Sequence, residues 1–174
     1  GGIELNLPEG LIPNQYYYQL YLMNLGDKQI LPMTKDFYPS VQQTIWNKVD
    51  GQIYFTAENR DYISLYRMNP ADGKIQQLDA KEDLVKSITL AESAPVMAYY
   101  GQGAMNSDRL YTLDTKKLKH TLVEDLSKDL LRDVQLGECR DWNFINSKGD
   151  TIYGRYYLPP HFDETKKYPM IVNY

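Results

Sequence analysis

The chain has 174 residues, and 19 Lys and Arg against 23 Asp and Glu leave a net charge of −4. With 43% apolar and 24% charged residues, it is long enough to bury a core without disulfides or metal staples, which excludes a disordered chain and a small stapled scaffold. The same balance offers no basic field for a phosphate backbone, and no uncharged stretch is long and apolar enough to cross a membrane, so neither nucleic acid nor a membrane span is expected.

Cys139 is the one cysteine and cannot pair within the chain, and His120 and His161 are too few and too far apart for a structural zinc site. No metal and no cofactor are therefore expected. The chain starts at Gly1-Gly2 with no Met, basic segment or apolar run, so a targeting signal is expected to have been removed or never to have belonged to this sequence. Sixteen Tyr against four Phe and two Trp favour half-buried pleated surfaces, and hence β structure.

In chain order, the first feature is a Leu-Tyr pair that returns twice. QLYLMNLGDKQILPM, SLYRMNPADGKIQQLD and RLYTLDTKKLKHTLVE each join two short strands by a polar turn, and Tyr21, Tyr66 and Tyr111 are spaced 45 residues apart. The turns fall at Gly26-Asp27, Asp72-Gly73 and Thr115-Lys116-Lys117, and the second strands end near Leu31, Leu78 and Leu122. Two more strands fit in each interval: residues 41–49 and 52–58, joined by Asp50-Gly51 as a two-residue hairpin signal, then residues 86–92 and 95–100. Four strands in about 45 residues is the pattern of a β-propeller blade. The alternative is a β-sandwich, which has no reason to repeat a dipeptide at constant spacing. Short helix-like stretches at 80–84 and 126–132 read as connectors.

The repeat stops near residue 135. Beyond it the pattern gives a strand over 142–145, a turn at Lys148-Gly149-Asp150, a strand over 151–158, a Pro-Pro loop, and an apolar strand over 170–174 that is expected to open something larger. The run YLPPHFDETKKYPMIVNY resembles the start of the catalytic domain in the prolyl oligopeptidase family of serine peptidases. LPPHFD followed by KKYP is especially similar to the dipeptidyl peptidase IV branch. GDTIYGRYYLPP and GQIYFTAENRDYISLYRMN resemble that family's first strand pair and its propeller blades.

The resemblance implies an all-β partial β-propeller of about two and a half four-stranded blades over residues 1–134, then the opening strands of an α/β-hydrolase domain over residues 135–174. It implies a parent enzyme that releases N-terminal dipeptides with Pro or Ala before the cut, takes peptide substrates, and resides in the periplasm or is secreted. The family's G-x-S-x-G elbow has no match here, and Ser87, Ser93 and Ser147 sit in no such context. No catalytic residue, cofactor-binding residue or metal ligand is therefore assigned.

His161 and His120 read as surface imidazoles, and Glu58 and Glu92 as solvated strand ends rather than an amino-terminus clamp. The family's oxyanion tyrosine falls at about residue 175 when counted from KKYP, or at Tyr174 if the strand is one residue shorter. The missing remainder of the parent chain and self-association through open blade edges are the expected partners. The alternative function is a stand-alone propeller module that binds a peptide or protein.

Overall fold

The computed structural model describes residues 17–173, in two compact units that meet between Ser127 and Lys128. Among the described residues there are twelve strands and no helix, hence no helix able to cross a membrane. Tyr174 lies outside the described residues.

The first unit is a partial propeller. A half-blade pairs β1 (Tyr21–Met23) with β2 (Ile30–Pro32). The first full blade runs β3 (Ser40–Trp46), β4 (Ile53–Asn59), β5 (Tyr62–Met68), β6 (Ile75–Leu78), each strand antiparallel to the next. The second repeats this with β7 (Leu84–Leu90), β8 (Val96–Gln102), β9 (Arg109–Asp114) and β10 (Lys119–Asp125). Tyr21 faces Pro32, Tyr66 faces Gln77 and Tyr111 faces Leu122, the same offset each time. The three tyrosines thus hold one position in three superposable units, as a radial array requires.

The repeat extends to the loops. Asn24, Asn47, Asn69 and Asp114 each accept at the carbonyl from the N–H four residues on, at 2.8–3.0 Å. Each also caps the N–H two residues on with its side-chain oxygen, at 2.8–3.0 Å. The fifth residue then turns left-handed: Lys28 at φ 62°, Gly51 at 70°, Gly73 at 69°, Leu118 at 54°. Asp50-Gly51 is therefore the end of a four-residue loop closed by the Asn47 N–H on the Gln52 carbonyl at 2.8 Å, not a two-residue turn. The Asn47 side chain starts the loop early, and β3 stops at Trp46 instead of running to residue 49.

Alternation on the first blade feeds two cores. Tyr54, Leu65 and Leu78 pack with Val85, Ile88, Met97, Tyr99, Tyr111 and Leu113 of the second blade. Val41, Ile53, Phe55, Ala57, Tyr66 and Met68 pack with Leu20, Leu22, Met33 and Phe37 around the half-blade. Burial on both faces explains why β4 reads as a continuous run, IYFTA, without polar alternation. The Phe55–Tyr66 and Tyr99–Tyr111 rings stack at 5.4 and 5.2 Å in corresponding places.

The blades are fastened by a side chain as well as by packing. The Gln43 amide donates to the Ile88 carbonyl at 2.9 Å and accepts from the Ile88 N–H at 2.8 Å, one repeat further along the chain. A single parallel bridge, Ile63 to Leu84, adds a second tie.

The second unit is one hairpin, β11 (Glu138–Ile145) and β12 (Thr151–Leu158), in register over its length. A Cβ on Gly154 would stand 2.6 Å from Trp142 Nε1, so glycine lets the indole lie across the partner strand and stack on Phe144 at 5.2 Å. The apolar strand expected over 170–174 does not form across described residues 170–173, which pair with no neighbour and are exposed. A strand exists only where another satisfies its backbone groups. The expected connectors are turns and bends, except that Leu84 already opens β7.

Candidate functional site

Three polar sites are built by these elements. In the second unit, β12 leaves Leu158 for Pro159-Pro160, and His161 turns left-handed at φ 57° with its Nε2 3.0 Å from Gln135 Oε1. Asp163 accepts from the Thr165 N–H at 3.0 Å and hydroxyl at 2.7 Å, which, with the nearby Lys166 ammonium, hold its carboxyl below the usual range. The Asp163 N–H donates to the Tyr168 hydroxyl at 3.1 Å, and the Tyr168 ring leans on Phe162 at 5.2 Å. LPPHFDETKKYP is thus a self-supporting loop, bordering a cavity of about 490 Å³ with Gln135 and Glu138.

A second site surrounds Glu82, whose side chain is 1% exposed. It accepts from the Tyr111 hydroxyl and Asn106 Nδ2, both at 2.8 Å, while Arg109 stands 3.7 Å away and is itself held by Asp125 at 2.8 Å. Burial, then the Glu82 carboxylate, push the Tyr111 hydroxyl up to about 12. The cluster anchors the loop between β8 and β9. Sequence reasoning missed Glu82, because Ala-Lys-Glu-Asp reads as a solvated connector; its donors lie more than twenty residues downstream.

The third site is a cleft between the loop ends of the two blades. Asp50 on its border accepts from the buried Tyr54 hydroxyl at 2.7 Å, and Arg67 and Thr115 lie close enough to Tyr54 to oppose the rise that burial and Asp50 give its hydroxyl.

The residues weighed from the sequence do not converge. His120 is half-buried rather than superficial: the Tyr99 ring meets it edge-on at 5.6 Å, and its Nδ1 lies 2.8 Å from the Tyr99 hydroxyl. That hydroxyl also accepts from the Lys81 N–H at 3.2 Å, so the Tyr99 oxygen links β10 to the connector before β7. Burial and Lys81 lower the affinity of His120 for a second proton. Glu58, near the end of β4, accepts from Gln42 at 3.2 Å, and Glu92 follows β7. Because β4 and β7 run in opposite directions within their blades, the two carboxylates stand at opposite blade ends. Ser87 lies on β7, Ser93 in the β7–β8 loop and Ser147 in the β11–β12 loop. Tyr174, the alternative oxyanion residue, is outside the described residues.

The fold these observations define is that of β-propeller blades followed by a separate hairpin. No protein-family model and no curated protein matches the chain. Among solved structures, it is similar to the AtxE2 isopeptidase with Astexin3-dC4 bound, at TM-score 0.68 and 18% identity over 83% of this chain and 22% of that one. It is similar to the acylaminoacyl peptidase of Pyrococcus horikoshii, at TM-score 0.63 and 20% identity over 82% and 21%. A puromycin hydrolase follows, at TM-score 0.60 and 11% identity over 83% and 23%. These neighbours are of the prolyl oligopeptidase family, and the chain spans about a fifth of their length.

Proposed function

We propose that this chain is part of a serine peptidase of the prolyl oligopeptidase type, on the dipeptidyl peptidase IV branch, that releases N-terminal dipeptides with Pro or Ala before the cut. Residues 1–134 belong to its propeller and residues 135–174 open its catalytic domain. The serine, aspartate and histidine that form and hydrolyse the acyl-enzyme are supplied by the rest of the parent protein, so this chain alone is inactive. The observation that carries the reading is the order of parts. Blades with identical Tyr66 and Tyr111 register precede the β11–β12 hairpin, and the hairpin runs into the LPPHFD and KKYP loop. The fold shared with an isopeptidase and an acylaminoacyl peptidase supports it.

In such an enzyme the blades act by access and position, since acyl transfer needs a serine activated by histidine and donors aimed at the oxyanion. The test is hydrolysis of a Gly-Pro chromogenic substrate by the purified chain and by the parent protein. Turnover by the parent alone, blocked by a serine-directed inhibitor, is expected. Inhibitor-sensitive turnover by the chain overturns the placement of the triad. A parent that cleaves only blocked or internal peptides overturns the dipeptidyl assignment.

A further inference from the structure

The radial repeat shows which blade faces are covered and which are bare. Residues paired directly across two strands share a face, so register assigns every side chain to one side of its sheet. On the first full blade Leu65 stands opposite Thr56 and Leu78, and this leading face packs against Tyr99, Tyr111 and Leu113 of the second blade. Tyr66 and Met68 lie on the other, trailing face and pack against Leu20 and Leu22 of the half-blade. Both joints inside the chain therefore seat the leading face of one unit on the trailing face of the next.

The same register leaves one bare face at each end of the array. Leu110 stands opposite Tyr100 and Glu124 as Leu65 stands opposite Thr56 and Leu78, so it holds the Leu65 position on the leading face of the second blade. Leu65 is fully buried, whereas Leu110 is 38% exposed, and Val96 and Tyr100 on the same face are exposed with it. At the other end Tyr21 and Met23 hold the positions of Tyr66 and Met68, on the trailing face of the half-blade. Tyr66 and Met68 are buried, whereas Tyr21 and Met23 are 39% and 52% exposed, with Ile30 exposed beside them. Each bare face is thus the counterpart of one that the chain already covers, and each is the counterpart of the other's cover. Strand addition at the sheet edge is discouraged, because β10 carries a bulge between Leu122 and Glu124 and the charges of Lys119, Glu124 and Asp125.

We propose that two copies of this chain associate head to tail, the Tyr21 and Met23 face of each seated on the Leu110 face of the other. The contact repeats the internal joint, where Leu113, at the Met23 position, shares a core with Leu65, at the Leu110 position. Because the two patches differ, a single joint leaves a bare face at either end, and the array closes only when both joints form. Each copy fills three blade positions, so two copies fill six, within the roughly four to eight of a closed propeller, and three copies fill nine, beyond it. A closed pair is the end point. The leading face keeps Thr112, Thr121 and Glu124 beside its apolar residues, which suits a reversible contact. A longer parent protein would seat its own blades on both faces, so the inference concerns this chain by itself and does not rest on the peptidase reading.

Sedimentation and native mass spectrometry of the full chain at rising concentration read the copy number, and a species of two copies is expected. Met23→Lys alone and Leu110→Glu alone should each weaken it about tenfold per joint, hence about a hundredfold for a pair that carries the change at both. Mixing the two variants should restore the pair, because one joint is then native and at the other the introduced lysine meets the introduced glutamate. A pair built from one patch meeting its own copy is not rescued in this way. Both positions are exposed, and an amide spectrum like that of the native chain shows that each variant is folded. Ile30→Lys with Val96→Glu repeats the test on the same two faces. The inference is overturned by a one-copy mass for the native chain at every concentration, by a pair that both single variants leave intact, by folded variants that fail to pair on mixing, or by arrays that grow without closing.

Discussion

Replacing Gln43 by Met keeps the length of the side chain and removes both hydrogen bonds to Ile88, at 2.9 and 2.8 Å. Each is an ordinary bond with a net worth of about 0.5–1.5 kcal/mol, so the pair contributes about 1–3 kcal/mol. For a unit of this size that lowers Tm by about 4–12 °C and moves the urea midpoint without changing the slope. Because the bonds join two blades, the loss is local as well as global: exchange of the Ile88 amide should accelerate by about five- to 150-fold, while the Tyr99 amide in the same blade changes less. Gln43→Glu sharpens the test. An ionised carboxylate still accepts from the Ile88 N–H but faces the Ile88 carbonyl with no proton to donate, so this variant should be weaker than Gln43→Met at neutral pH. It should recover as acid protonates it. An unchanged urea midpoint for Gln43→Met, with unchanged Ile88 exchange, would show that packing alone joins the blades.

Lys28 occupies the left-handed position that glycine takes at 51 and 73, and it is exposed. Lys28→Gly should stabilise the half-blade by up to about 1 kcal/mol, read as slower exchange of the Met23 and Ile30 amides; a loss of protection would contradict the shared loop geometry. His120 gives a pH dependence. Burial lowers its affinity for a proton in the folded chain, so the unfolded chain takes up a proton first, and stability should fall as pH drops through the ordinary imidazole value of 6.5. His120→Gln should remove that step and leave the acid loss from the carboxylates at lower pH. A wild-type curve flat between neutrality and the carboxylate range would refute it.

The repeat was legible because a radial array writes itself into spacing. Tyr21, Tyr66 and Tyr111 keep their interval only if each strand pair between them keeps its length, and identical register follows. The loops were half legible. Gly51 and Gly73 advertised a turn, but its length is set by Asn47 and Asn69, whose side chains act four residues earlier. The strand over 170–174 does not form across described residues 170–173 for the opposite reason: apolar residues state a preference for burial, and pairing needs a partner that a run of residues does not specify. Glu82 was illegible, because Tyr111, Asn106 and Arg109 lie more than twenty residues downstream and reach it only once β9 and the β8–β9 loop fold back beside the start of β7. A charge that reads as solvent decoration along the chain becomes a buried anchor.

The Gln43 clasp also gives the array a mechanical order. In register the counterpart of Gln43 in the second blade is Ser87, just before Ile88 as Gln43 is just before Thr44, and a serine hydroxyl is too short to repeat the double bond. The repeats are therefore alike in shape and unlike in fastening. Pulled from its ends, the first unit should part at two joints of unlike make: the half-blade is stitched to β3 at Tyr18, through the Val41 N–H at 2.9 Å and Ser40 Oγ at 3.0 Å, while the two full blades stay together until the Gln43 amide lets go of Ile88.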